Sequence, residues 1–168
     1  ICKLRPVLGA ALFLIATMVC AQAATTNQVV MIMAANLSSG NFMSYEAPGI
    51  RIFQGLKPDI VAIQEFRYEG SSAETQLRAL VDLAFGPEFS FYREPYTAGG
   101  DIPNGIVSRW PIRNSGSWDD PVLDNRGFAW ALIDLPGPED LYVVSVHLYT
   151  GSSTDRSTEA TTIKNQIQ

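Results

Sequence analysis

The sequence predicts an α/β fold built on mixed sheets, and three observations carry that expectation. Residues 29–35 and 60–64 are apolar, strand-like runs separated by a polar loop and a stretch of helical spacing, the arrangement that lays two strands parallel in one sheet. Residues 127–135 and 141–148 are strand-like runs joined by Pro-Gly-Pro-Glu-Asp, which reads as an antiparallel hairpin. With 168 residues, an apolar fraction of 46% and 17% charged residues, the chain is ordinary globular protein with a prior of one domain. Parallel and antiparallel pairings together describe a mixed-sheet α/β sandwich rather than a doubly wound parallel fold.

Taken in order, the chain opens with Lys3 and Arg5, then an apolar run over residues 7–19, then the small-x-small pattern Ala21-Gln22-Ala23. That order predicts a secretory signal peptide over residues 1–23 and a domain over residues 24–168. About 13 apolar residues fall short of the ~20 that cross a bilayer, which argues against an anchor. The expectation is a secreted or periplasmic protein with no stable membrane insertion after cleavage, and a monomer. The only cysteines, Cys2 and Cys20, leave with the leader, so a disulfide framework, a cysteine nucleophile and a zinc finger are excluded from the mature domain. Ten basic residues then face 17 acidic ones. Such a balance argues against gripping nucleic acid by general basicity, but it leaves room for a site where one metal ion and a few arginines handle a phosphate.

The strand at residues 29–35 ends at Asn36. A Ser, Asn and Gly-rich loop follows, then a predicted helix over residues 47–56 whose Ile50, Phe53 and Leu56 share a face. Ile60, Val61, Ala62 and Ile63 form the next strand, which ends at Gln64-Glu65. Ser71-Ser72-Ala73-Glu74 reads as the cap of a second helix with Leu77, Leu80, Val81 and Ala84 on its apolar face, stopped at Gly86-Pro87. Residues 89–93 read as a strand, 96–103 as a Gly-rich loop, 104–108 as a strand, and 114–125 as a polar excursion carrying Asp119, Asp120 and Asp124. Beyond the hairpin, residues 158–167 carry a helix-like pattern.

Asn36 and Glu65 thus sit at neighbouring strand ends, where neither is needed for packing. Two oxygen donors in that position suit a hard divalent cation such as magnesium, with manganese as the alternative. His147, the only histidine, shares a strand face with Ser145; it reads either as a half-buried strand histidine or as a hydrogen-bonding partner for a phosphate oxygen or leaving group. Arg126, just before the strand at Gly127, reads as a bidentate phosphate contact or as a surface arginine in a loop. Asn104 is a candidate substrate contact beside its reading as a strand-flanking residue. Trp110, Trp118 and Trp130 fit core, rim or stacking roles equally well.

Four of these stretches, in order, resemble the endonuclease/exonuclease/phosphatase superfamily: the apolar strand ending in Asn36, PDIVAIQE at residues 58–65, NGIVSRWPI at residues 104–112 and VVSVHL at residues 143–148. The resemblance runs from about Val29 onward and implies a four-layered α/β/β/α sandwich with mixed sheets. It further implies that Glu65 binds magnesium, that Asn36 helps hold the metal or phosphate, and that His147 contacts the scissile phosphate. The family also uses a later Asn-x-Asn or Asp-x-Asn motif and an Asp-His pair, neither of which follows His147. The expectation is therefore the N-terminal part of a secreted, bacterial-type member, truncated at the C-terminus, half of whose catalytic site is present and which is inactive as it stands. Read so, the whole protein is a magnesium-dependent hydrolase of phosphate esters, nuclease-like. A phospholipid or sugar-phosphate phosphodiesterase and a non-catalytic secreted binding module on the same fold are the alternatives.

Overall fold

The computed structural model describes residues 29–37, 45–71, 73–95 and 102–168. The expected leader, Ser72 and most of the two polar loops at residues 36–45 and 96–103 lie outside the described residues. Two sheets are stacked face to face, and the elements run β1 (Ile32–Asn36), α1 (Glu46–Leu56), β2 (Ile60–Gln64), α2 (Glu74–Ala84), β3 (Ser90–Arg93), β4 (Gly105–Ser108), β5 (Ile112–Asp119), β6 (Gly127–Ile133), β7 (Leu141–Ser145) and α3 (Ser153–Ile167). The first sheet has the order β1-β2-β4-β3 and the second β5-β6-β7.

β1 and β2 are parallel, with Asn36 opposite Gln64, while β2 pairs antiparallel with β4 and β4 with β3. The mixed sheet expected from the sequence is therefore present, and its centre is occupied by the two most apolar strands. Side chains alternate between faces along a strand. Val61, Ile63 and Val107 accordingly point to one side, where they meet Ile50 and Phe53 of α1 and Leu77, Leu80, Val81 and Ala84 of α2. Ile60 and Ile106 point to the other side and meet Ala129, Ala131, Ile133 and Val143 of the second sheet. The small alanines of β6 let the two sheets approach, and a single truncation such as Phe53→Ala would cost about 3–5 kcal/mol because both faces are closely packed.

Several local expectations are corrected. Val29 and Met31 are exposed and precede β1, which begins at Ile32. Leu56 is also exposed, so only Ile50 and Phe53 anchor α1. Ala73 is the N-cap of α2 and makes no side-chain cap; the Ser71 hydroxyl instead accepts from the Ala73 N–H at 3.1 Å. The first half of the polar excursion at residues 114–125 is strand, since β5 pairs antiparallel with β6 from Ile112 to Asp119. It is an edge strand with few apolar residues, which removes the alternation that marks a half-buried one. Trp130 covers Gly116 across the ladder, where a Cβ would stand 2.6 Å from the indole ring. The glycine that suggested a loop is thus what admits an aromatic side chain over the strand.

Candidate active site

β1 and β2 end side by side because they are parallel and in register, and their next polar side chains meet: Asn36 Nδ2 donates to Glu65 Oε1 at 3.1 Å. Glu65 lies one residue past β2 in the left-handed region, with φ of 55°. A non-glycine residue there is strained by roughly 1–3 kcal/mol, and such strain persists where the surroundings impose it. Here they do. The Phe66 N–H donates to Pro103 O at 2.7 Å and the Phe66 ring is fully buried over Gly105, where a Cβ would sit 2.3 Å from the ring. Holding Phe66 inward turns the chain at Glu65, whose side chain keeps 14% of its surface.

The second sheet delivers the histidine. The Ser145 hydroxyl donates to Ile63 O at 2.9 Å, and Gln64 Nε2 donates to Val146 O at 2.6 Å. These two bonds stitch the end of β7 to the end of β2. His147, two residues beyond β7 rather than on it, is thereby placed with Nδ1 at 4.0 Å from Glu65 Oε1. That separation is longer than a hydrogen bond. Burial and the neighbouring Arg126 guanidinium push the imidazole pKa below its ordinary value, against the opposing pull of Glu65. The ring is consequently neutral at pH 7, the state in which it retains both a donor and an acceptor.

Arg126 closes the group. Its Nε donates to the backbone oxygen of His147 at 2.6 Å, and its two terminal nitrogens make no hydrogen bond among the described residues. Its charge interacts with Asp120, Glu159, Glu65 and Glu94, while burial is the larger influence and lowers its pKa from the usual arginine value. Asn104 behaves differently from the other candidates. It is fully buried, and its Nδ2 donates to Gly127 O at 2.6 Å, so its side chain holds the start of β6 rather than facing a cleft. Of the residues singled out in the sequence, Asn36, Glu65, His147 and Arg126 are thus brought together, and Asn104 lies behind them.

Two carboxylates with evident roles, Glu94 and Glu159, went unremarked in the sequence, and a third, Asp120, was noted there only as part of the polar excursion. Glu94 is 3% exposed and accepts the backbone N–H of both Asn104 and Gly127; burial pushes its pKa up to about 7 despite those bonds. Glu159, the one buried residue of α3, accepts the Tyr149 N–H at 2.9 Å, and burial together with the adjacent Asp120 raises its pKa. Asp120 receives the Val122 N–H at 2.8 Å. Glu94 did carry a signal, a glutamate just past the strand at residues 89–93, as Glu65 lies just past its own strand. Asp120 and Glu159 carried none, because they meet only in three dimensions. A cleft of about 680 Å³ opens beside Arg126, lined in part by Glu94, Trp118, Asp119, Asp120 and Asp124.

No group of three or more histidine, cysteine or acidic side chains that could hold a metal occurs among the described residues. Magnesium does not require one, since it commonly keeps several waters and takes one or two carboxylates from the protein. Glu65 with the Asn36 amide is a donor set of that kind, all oxygen, at a mouth where water can reach. No helix among the described residues is long and apolar enough to cross a membrane.

No family model matches the sequence, and no curated protein matches it. Solved structures match the fold. A humanized TDP2 of D. rerio superimposes with a TM-score of 0.61 at 19% identity, over 82% of this chain and 56% of that one. An endonuclease/exonuclease/phosphatase from Bacteroides vulgatus gives 0.60 at 18% identity, over 82% and 59%. The 3′ phosphatase NExo from Neisseria, bound to a product DNA hairpin, gives 0.55 at 16% identity, over 83% and 51%. The chain spans between half and three fifths of the length of each of these structures.

Proposed function

From an endonuclease/exonuclease/phosphatase fold with two sheets and three helices among the described residues, we propose that this chain contributes to a secreted, magnesium-dependent hydrolase of phosphate esters, most nearly a nuclease-like phosphodiesterase. The observation that carries the reading is the convergence of Asn36, Glu65, His147 and Arg126 from both sheets onto one end of the sandwich. In this reading Glu65 and Asn36 would hold the metal, which when bound would neutralise phosphate charge as a Lewis acid. Arg126 presents its terminal nitrogens to a phosphate oxygen pair, the geometry for which a guanidinium fork is suited. His147, neutral, hydrogen-bonds a phosphate oxygen or the leaving group. The water-activating Asp-His pair that the resemblance implies has no counterpart among these residues, whose single histidine is His147.

The test is magnesium binding by calorimetry, followed by hydrolysis of bis(p-nitrophenyl) phosphate, on this chain and on a longer one carrying the downstream pair. Magnesium binding that Glu65→Gln abolishes is the expected result. Metal-independent turnover, or binding indifferent to Glu65, would sink the proposal. The acidic cleft favours a second reading in which the substrate is a phospholipid or sugar phosphate: Glu94, Asp119, Asp120 and Asp124 around one arginine repel a polyanionic strand. Competition between plasmid DNA and a phospholipid head group for the same turnover separates the two.

A further inference from the structure

We propose that Glu94 and Asn104 are positioning residues that clamp the backbone behind Arg126 and so aim its guanidinium, an inference that rests on the phosphate-binding role given to Arg126 above. Gly127 begins the first strand to follow Arg126, and side chains just past the end of β3 and just before the start of β4 grip its backbone from both ends. Its N–H donates to Glu94 Oε2 at 2.7 Å, and its carbonyl accepts from Asn104 Nδ2 at 2.6 Å. The two gripping residues are themselves joined, since Glu94 N donates to Asn104 O at 3.0 Å and Asn104 N donates to Glu94 Oε1. Both are at least 97% buried, so neither is held there by solvent. Glycine is required at the gripped position, where a Cβ would stand 2.5 Å from Trp118 O and 2.8 Å from Glu94 Oε2.

The adjoining Arg126 makes one hydrogen bond among the described residues, from Nε to His147 O, and that bond fixes the plane of its fork. The bond depends on where the backbone at residues 126 and 127 stands, which is what the clamp determines. A residue that only held the two sheets together would have no reason to engage both ends of a single glycine's backbone immediately beside an arginine. The charged groups acting on Glu94 are Arg93 and Arg126, both of which favour its ionised form against burial. Ionised, Glu94 accepts from two N–H groups at full strength; protonated, it presents one acceptor fewer.

The test reads the Arg126 Nε–H resonance in ¹H–¹⁵N spectra, with inorganic phosphate as the ligand probe and thermal melts as the folding control. Glu94→Gln is expected to stay folded, to lose the protected Nε–H signal into the rapidly exchanging pool, and to bind phosphate about tenfold more weakly. A folded Glu94→Gln that keeps both the signal and the affinity overturns the clamp. Should that variant fail to fold, wild type is titrated over roughly pH 5 to 9. Gly127 N–H and Arg126 Nε–H moving together near pH 7 support the clamp, and Arg126 Nε–H standing still while Gly127 titrates overturns it. Arg126→Ala separates this inference from its premise: undiminished phosphate affinity there removes the role of Arg126, whatever the clamp does.

Discussion

Arg126 Nε donates to the backbone oxygen of His147 at 2.6 Å, so the cation and the imidazole proposed to face phosphate are mechanically one unit. Displacing either displaces the other, and single substitutions at the two positions should not be additive. For the double variant Arg126→Lys with His147→Ala, the loss in phosphate affinity is expected to be smaller than the product of the single losses. Titration of all three variants with inorganic phosphate measures the coupling.

Arg126→Lys alone keeps the charge and loses the fork. Phosphate affinity is expected to fall about tenfold and the melting temperature only modestly, because the one bond lost from the fold is that from Nε to His147 O. A drop in stability without a drop in affinity would assign Arg126 to the scaffold.

Glu65 combines strain with a proposed ligand role, and two substitutions separate them. Glu65→Gln leaves a side chain at φ of 55° and removes the charge, whereas Glu65→Gly removes both the charge and the strain. Both are expected to lose magnesium binding, and only the glycine variant is expected to gain stability, by about 1 kcal/mol. Chemical denaturation and metal titration on the pair check this.

Glu94 sets a pH dependence of stability with a definite sign. Its pKa is raised from 4.5 to about 7 in the fold, so the folded state binds the proton more tightly than the unfolded chain. The contribution is fully present below about pH 4.5 and is lost as pH rises through about 7, by roughly 3 kcal/mol across that window. Denaturation midpoints measured through the window should fall less steeply in Glu94→Gln than in wild type.

Gly105→Ala is expected to destabilise by about 1–3 kcal/mol, since the new methyl would meet both the Phe66 ring and the Tyr92 carbonyl oxygen on the neighbouring strand. Because Phe66 holds the turn at Glu65, magnesium binding should weaken in the same variant. Denaturation and calorimetry report the two effects together.

What the sequence revealed and what it concealed divide along a physical line. β2, β4 and the β6–β7 hairpin were legible because burial forces apolar runs onto them, and the meeting of the candidate residues Asn36 and Glu65 was legible because polar side chains at the ends of such parallel runs have nothing to pack against. β5 was hidden, since an edge strand with a polar face and a glycine under an indole has the composition of a loop. His147 was expected on the strand and lies beyond it, because the strand is ended by Ser145 turning inward to Ile63 O, a contact 82 residues distant. The clamp of Glu94 on Gly127 and the meeting of Asp120 with Glu159 are likewise long-range, and no local pattern encodes them.

That separation also orders the steps by which the chain acquires its shape. β1, α1, β2 and α2 lie within 53 consecutive residues, Ile32 to Ala84, and can collapse on one another before the rest is in place. The bonds from Ser145 to Ile63 and from Gln64 to Val146 span 82 residues, so they close a large loop and carry its entropy. They are expected to form late, leaving Glu65 without its histidine neighbour while the hydrophobic body is already assembled. Pulse-labelled hydrogen exchange during refolding should therefore find the amide of Val61 protected before those of Val143 and Ser145. A ribosome would meet the same order, making the carboxylate half of the site about 80 residues ahead of the imidazole half.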